Sequence, residues 1–166
     1  MSQDTPEARS RPEVLIIGAG IAGLTPAILL EQIKVPYHIF ERAAGVKPLG
    51  SSPVDENRIA SGYEPLIFCR PRFYEILLRR IPEHKISFKK KVLCIEEKEG
   101  KVRIHWSDDT SYTGDILVGA DGAYSEVRQS MYKLMDEKGT LPKVDLENFK
   151  INYTTIIGVA TPPNPE

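Results

Sequence analysis

With 166 residues, 41% hydrophobic and 27% charged, the chain can bury one core of ordinary size and is too apolar for a disordered segment. Its formal net charge of −1 argues against nucleic acid or an anionic membrane as a partner. The basic clusters Arg79-Arg80 and Lys89 to Lys91 have no interleaved aromatic residues for base stacking, so both read as solvated faces.

Residues 1–12 mix both charges, lack an apolar stretch and read as a disordered tail rather than a signal peptide. The apolar run Val14-Leu15-Ile16-Ile17 predicts a parallel strand buried on both faces. A glycine turn over Gly18 to Gly23 leads into a helix to about Ile33, with Ile21, Leu24 and Ile28 on one face. Pro26 falls inside this helix, where the missing N–H should cost roughly 3 kcal/mol unless the helix kinks. Pro36 to Glu41 predicts a second strand, which completes a βαβ unit. Ala43 to Gly62 is rich in Gly, Pro, Ser, Asp and Asn and reads as a long loop.

Arg70-Pro71 opens the next predicted helix, with Phe73, Ile76 and Leu77 as its buried stripe. Lys91–Glu97, Lys101–Trp106 and Ser111–Thr113 predict a three-stranded antiparallel meander, turned at Lys98-Glu99-Gly100 and Ser107-Asp108-Asp109. Asp115 to Asp121 reads as another buried strand and Ala123 to Lys138 as a helix. Gly139 to Asp145 follow as a linker, and Phe149 to Ala160 as one long strand.

Cys69 and Cys94 lie 25 positions apart without a CxxC pair, which excludes a disulfide framework and suits a reducing, cytoplasmic setting. His38, His84 and His105 are too scattered for a metal-ligand set, so no metal is expected. No apolar run approaches the ~20 residues that span a bilayer.

The chemistry concentrates at the first strand-to-helix junction. Gly18-Ala19-Gly20-Ile21-Ala22-Gly23 is a G-x-G-x-x-G that closes a buried strand and opens a helix, the context that makes it a dinucleotide fingerprint. In that role Gly18 permits the tight turn, Gly20 lets backbone approach a pyrophosphate, and Gly23 lets helix and sheet pack closely. Glu41 ends the second strand 18 residues after Gly23, where a carboxylate can accept hydrogen bonds from both ribose hydroxyls of an adenosine. It would repel a 2′-phosphate, so FAD or NAD is expected rather than NADP.

VLIIGAGIAGL, IFERA, CRPRFYEILL and GDILVGADGAYSEVR together resemble the FAD-dependent aromatic hydroxylases and related flavin monooxygenases, over most of residues 13 to 160. The resemblance implies FAD as cofactor and NAD(P)H as electron donor, with O2-dependent hydroxylation of an organic, for instance aromatic, substrate. It places Asp121 and Gly122 near the FAD pyrophosphate, with Ser125 and Arg128 completing the block, and gives Asp121 a part in accommodating the nicotinamide donor. Asp121 also reads as a helix N-cap. By the same resemblance Arg70 contacts the cofactor, the backbone of Val92 meets the adenine, and Arg42 joins Glu41 among the cofactor-binding residues.

The fold class implied is α/β: a Rossmann-like FAD-binding domain with an antiparallel β-meander crossover and its substrate domain largely missing. Residues 13–138 would form the FAD-binding domain, with a shortened loop at 43–62. Residues 139–166 would be a linker and the first strand of an incomplete substrate domain. Family members carry some fifty more residues between the FER strand and the arginine helix, and a later GD motif that has no counterpart here. No residue reads as a catalytic acid, base or nucleophile. The alternative is a non-catalytic FAD- or dinucleotide-binding fragment or decayed gene product; an NAD-dependent reductase is disfavoured by the GADGAYSEVR block.

Overall fold

The computed structural model describes residues 11–45 and 70–146. The predicted strand Phe149–Ala160 and most of the 1–12 tail and the 43–62 loop lie outside the described residues. The chain divides into two compact units, residues 1–131 and 132–166.

The first unit holds a four-stranded parallel sheet in the order β3-β2-β1-β7, built from β1 (Val14–Ile17), β2 (Tyr37–Phe40), β3 (Ile86–Ser87) and β7 (Ile116–Gly119). Val14 pairs with Tyr37 on one side and Ile116 on the other, which puts β1 inside the sheet. Helix α1 (Ile21–Gln32) links β1 to β2, and α2 (Arg70–Leu78) precedes β3. Between β3 and β7 the chain runs through the antiparallel meander β4 (Val92–Lys98), β5 (Lys101–Trp106) and β6 (Ser111–Gly114). This is the expected Rossmann-like α/β fold with a meander crossover.

Both faces of β1 are covered, which is why its four residues are apolar without alternation. Val14 and Ile16 pack with Leu24 and Ala27 of α1, and with Tyr37, Ile39 and Ile81. Leu15 and Ile17 face the meander, where Phe40, Val92, Ile104 and Trp106 complete a second cluster. Phe40 and Trp106 sit with ring centroids 4.5 Å apart. In β5 the residues Ile104 and Trp106 point inward and Arg103 outward, as the period-two pattern requires. The β4–β5 hairpin turns at Glu99 and Gly100, both at positive φ (54° and 73°), the twist that matches flanking strands.

Several elements differ from the sequence expectation. In α2 Ile76 is exposed, whereas Tyr74, Leu77 and Leu78 pack against the core toward buried Ile81. The stripe at 74, 77, 78 and 81 is the helical repeat once Ile81 is counted as its lower anchor. β7 was expected as a buried strand over Asp115–Asp121, but it is shorter and none of it is fully buried, with Ile116 exposed. It forms the edge of the described sheet, so its apolar run lacks a second neighbour. The two-residue β3, paired in parallel with Ile39 and Phe40, was not foreseen.

Pro26 lies inside α1, which nevertheless runs unbroken from Ile21 to Gln32. Its missing N–H frees the carbonyl of Ala22, an exposed residue whose oxygen water can satisfy. Pro26→Ala should therefore raise stability by about 1–3 kcal/mol. Urea melts check this; an unchanged or lower midpoint would mean that proline suits this helix.

His38 sits between sheet and meander, its Nε2 2.9 Å from the Ser87 hydroxyl and its ring stacked near Tyr112. Burial pushes its imidazole below the ordinary value, with Glu13 pulling partly the other way. A depressed histidine pKa gives stability that is present above the unfolded value and lost as pH falls, because the unfolded chain takes the proton more readily. Urea midpoints at about pH 7.5 and about pH 5.5 should therefore drop on acidification, and His38→Asn should flatten the drop. A drop of the same size in the variant would remove His38 as its cause.

In the second unit, the last turn of helix α3 (Glu126–Glu137) closes on Gly139 at φ 66°. The Gly139 N–H donates to the Asp136 carbonyl at 2.9 Å and the Thr140 N–H to that of Met135 at 2.8 Å, satisfying two terminal carbonyls.

Candidate functional site

A cleft of about 210 Å³ opens at the carboxyl ends of β1, β2 and β7. It is lined by residues that each strand delivers as it ends: Ile17, Gly18 and Gly20 after β1, Phe40, Glu41 and Arg42 after β2, and Ala120 and Asp121 after β7. The carboxyl edge of an open parallel sheet is where such folds bind ligands.

The three glycines have different tasks here. Gly18, at φ 106°, would place a Cβ 2.3 Å from the Ala120 carbonyl oxygen, so both conformation and space demand glycine. At Gly23 a Cβ would meet the Gly18 carbonyl oxygen at 1.9 Å, because α1 packs directly on the turn. A Cβ on Gly20 would meet nothing within 4 Å. Gly20 borders the cleft, and the space beside it is open to a ligand.

No side chain caps the N-terminus of α1. Its first N–H groups and dipole are therefore available to an anion in the cleft. Glu41 holds the turn in shape: Oε2 accepts the Ala19 N–H and Oε1 the Ala43 N–H, both at 2.8 Å. Each carboxylate oxygen keeps a further lone pair for a ligand hydroxyl.

The N-terminus of α3 is, by contrast, fully engaged. Asp121 Oδ2 accepts the N–H groups of Glu126 (2.7 Å) and Val127 (3.3 Å), and Oδ1 accepts the Ser125 hydroxyl (2.6 Å). Ser125 Oγ in turn accepts the Arg128 N–H at 3.0 Å, and Arg128 Nη2 donates to the Ala123 carbonyl at 2.7 Å. The Asp121–Arg128 block is thus a self-capped turn, which explains why the helix starts at Glu126 rather than at Ala123.

The structure brings Gly18, Gly20, Glu41, Arg42, Val92 and Asp121 to the cleft. Gly23 stands behind it as a packing contact, and Gly122 (φ 89°) shapes the turn beside it. Arg70, at the exposed start of α2, is not among the lining residues. Val92 enters through a β-bulge that shifts the β4–β5 register between Val92 and Cys94, beside the cleft.

Lys90 and Lys91, which read from sequence as part of a solvated basic cluster, also line the cleft, as do Tyr124 and Glu126. The lysines arrive because residues 87–90 run beside 41–43: the Glu41 N–H donates to the Ser87 carbonyl, Lys90 to that of Glu41 and Lys89 to that of Ala43. The Lys90 ammonium is held by Asp108 (2.6 Å) and the Thr110 hydroxyl (2.8 Å), tying this wall to the β5–β6 turn. That contact, with help from Thr110, keeps the Asp108 carboxyl down at about 2. Among the described residues, Lys91 and Arg42 are the other cations that line the cleft. Among the described residues no group of His, Cys, Asp and Glu is placed to hold a metal ion, and no helix is long and apolar enough to cross a membrane.

Fold and cleft are those of a Rossmann-like α/β unit with a cleft at the carboxyl edge of its parallel sheet. No protein-family model matches the chain. Among curated proteins it is similar to the FAD-dependent monooxygenase BOA8 of Botryotinia fuckeliana, 32% identical over 175 residues, covering 92% of this chain and 22% of that protein. It is also similar to the FAD-dependent monooxygenase andE of Emericella variicolor, 28% identical over 197 residues, covering 90% and 42%. Among solved structures, tetracycline destructase Tet(51) superposes with a TM-score of 0.61 at 20% identity, covering 74% of this chain and 42% of that one. Klebsiella pneumoniae HpxO complexed with FAD and uric acid gives 0.59 at 22% identity, covering 70% and 41%. At such identities the structural likeness shows the fold.

Over about nine-tenths of its own length the chain is thus similar to proteins named FAD-dependent monooxygenases. It spans between a fifth and a half of the length of these relatives (22% and 42%). The 197 residues aligned with the E. variicolor protein exceed this chain's 166, so that relative carries residues between the aligned blocks that are absent here.

Proposed function

We propose that the cleft binds FAD and that residues 13–138 serve as the FAD-binding domain of a flavin monooxygenase. The reaction would use NAD(P)H and O2 to hydroxylate an organic, for instance aromatic, substrate. The observation that carries this reading is the uncapped N-terminus of α1 facing an open cleft beside Gly20, with the Glu41 carboxylate next to it. FAD, when bound, supplies the oxygen and electron-transfer chemistry.

This chain's own residues supply binding and orientation. The N–H groups at the start of α1 would receive the pyrophosphate, and Glu41 the ribose hydroxyls, while the backbone at Val92 and the side chain of Arg42 would wall the adenine. Asp121 already satisfies the N-terminus of α3 and would keep the β7 end of the cleft in shape. Arg70 would reach the cofactor only if the start of α2 lies nearer to it in the bound state. The two cysteines fit a reducing, cytoplasmic setting.

A second reading, a protein that binds the dinucleotide without catalysis, draws support from the length missing between the aligned blocks. Equilibrium dialysis of the 166-residue chain with FAD and NADP tests the common part: FAD should bind more tightly, because Glu41 repels a 2′-phosphate. Tighter binding of NADP would overturn it. Substrate-stimulated NAD(P)H loss matched by hydroxylated product would decide for the monooxygenase, and retention of FAD without turnover for the second reading.

A further inference from the structure

We propose that Tyr124 is a stacking platform for the isoalloxazine half of the bound dinucleotide, an inference that rests on the FAD reading above. Among the described residues two aromatic side chains line the cleft, and they differ sharply: Phe40 is 2% exposed and belongs to the core, whereas Tyr124 is 85% exposed. A tyrosine ring carries a large apolar area whose burial is favourable, and among the described residues that area stands exposed here.

The backbone that presents this ring is held on both sides. Asp121 binds the Ser125 hydroxyl and two N–H groups of α3, and Arg128 holds the Ala123 carbonyl at 2.7 Å. Docking a planar group on Tyr124 would therefore cost only the ordering of its own two side-chain torsions, not of a loop.

The order of the strands says which half of the ligand reaches it. Along the carboxyl edge the sheet runs β2, β1, β7, so Glu41, the glycine turn and the Asp121–Tyr124 segment follow one another across the cleft. With the adenosine ribose at Glu41 and the pyrophosphate over the turn, the other half leaves on the β7 side. That half bears the flat three-ring system, which suits offset stacking on a phenol.

Bound FAD fluorescence tests the assignment, because an electron-rich ring in contact with a flavin quenches its emission. Emission and dissociation constants for FAD and for ADP would be measured on the wild type, Tyr124→Leu and Tyr124→Trp, with urea midpoints confirming that all three fold alike. The leucine variant should brighten bound FAD and weaken its binding about tenfold while leaving ADP unchanged, and tryptophan should restore both. Unchanged emission and affinity in the leucine variant would overturn the proposal. Equal losses for FAD and ADP would do so too, by placing Tyr124 on the adenosine half. A wild type that binds neither nucleotide would instead overturn the FAD reading, and this inference with it.

Discussion

Gly23→Ala is expected to lower the unfolding free energy by about 3 kcal/mol, a large fraction of the stability of a domain this size. Two effects oppose each other. Alanine is the better helix former by roughly 1 kcal/mol, which on an open helix face would make the change stabilising. Here the new methyl group would stand 1.9 Å from the Gly18 carbonyl oxygen and 3.4 Å from the Ala120 side chain. The obstacle is backbone at the crossing of α1, the turn and β7, so no rotamer change relieves it. Either α1 lifts from the sheet, exposing Leu24 and Ala27, or the turn opens and Gly18 loses its N–H bond to the Phe40 carbonyl. Each route costs more than the propensity gain returns. Urea melts of the two proteins check this, and a midpoint at or above the wild type would show that the packing at Gly23 is looser than described.

Much of this fold was legible from local pattern, and the exceptions share a cause. The unalternating β1, the alternating β5 and the turn at Glu99-Gly100 follow from periodicity and backbone chemistry within a few residues. The glycine turn and Glu41 were legible because strand, turn, helix and strand follow one another closely in the chain. Ile76 was misplaced because Ile81, beyond the end of α2, decides which way that helix faces. An apolar run such as Ile116-Leu117-Val118 cannot say whether a further strand covers it, and β7 stands at the edge of the described sheet. The lysines at 90 and 91 read as a solvated cluster; only backbone bonds to residues 41–43, with Lys89 at φ 59°, bring them to the cleft. Tyr124 carried no signal beyond its place inside the GADGAYSEVR block. The Asp121 cap, in contrast, was readable as an acidic residue shortly before a helix, and the structure supplies its three partners.

Gly20→Val should separate binding from folding: FAD affinity is expected to fall at least a hundredfold, while stability changes by no more than about 1 kcal/mol. The backbone at Gly20 has φ −74° and ψ −178°, extended values that valine adopts without strain. A Cβ there touches no protein atom within 4 Å, so the folded chain offers no clash. The remaining cost is that valine is a poorer N-cap than glycine, worth roughly 1 kcal/mol or less. What the branched side chain does occupy is the space over the uncapped N-terminus of α1, where a pyrophosphate would approach the backbone. Loss of those charge-assisted bonds, at about 1.5–3 kcal/mol each, is sufficient for the hundredfold change if two are lost. Gly20→Ala, with one methyl group in the same place, should fall between the two. Equilibrium dialysis with FAD and urea melts on the same preparations measure both quantities. If the valine variant bound FAD as well as the wild type did, the phosphates could not lie over this turn, and the cleft beside Gly20 would lose its claim to the cofactor.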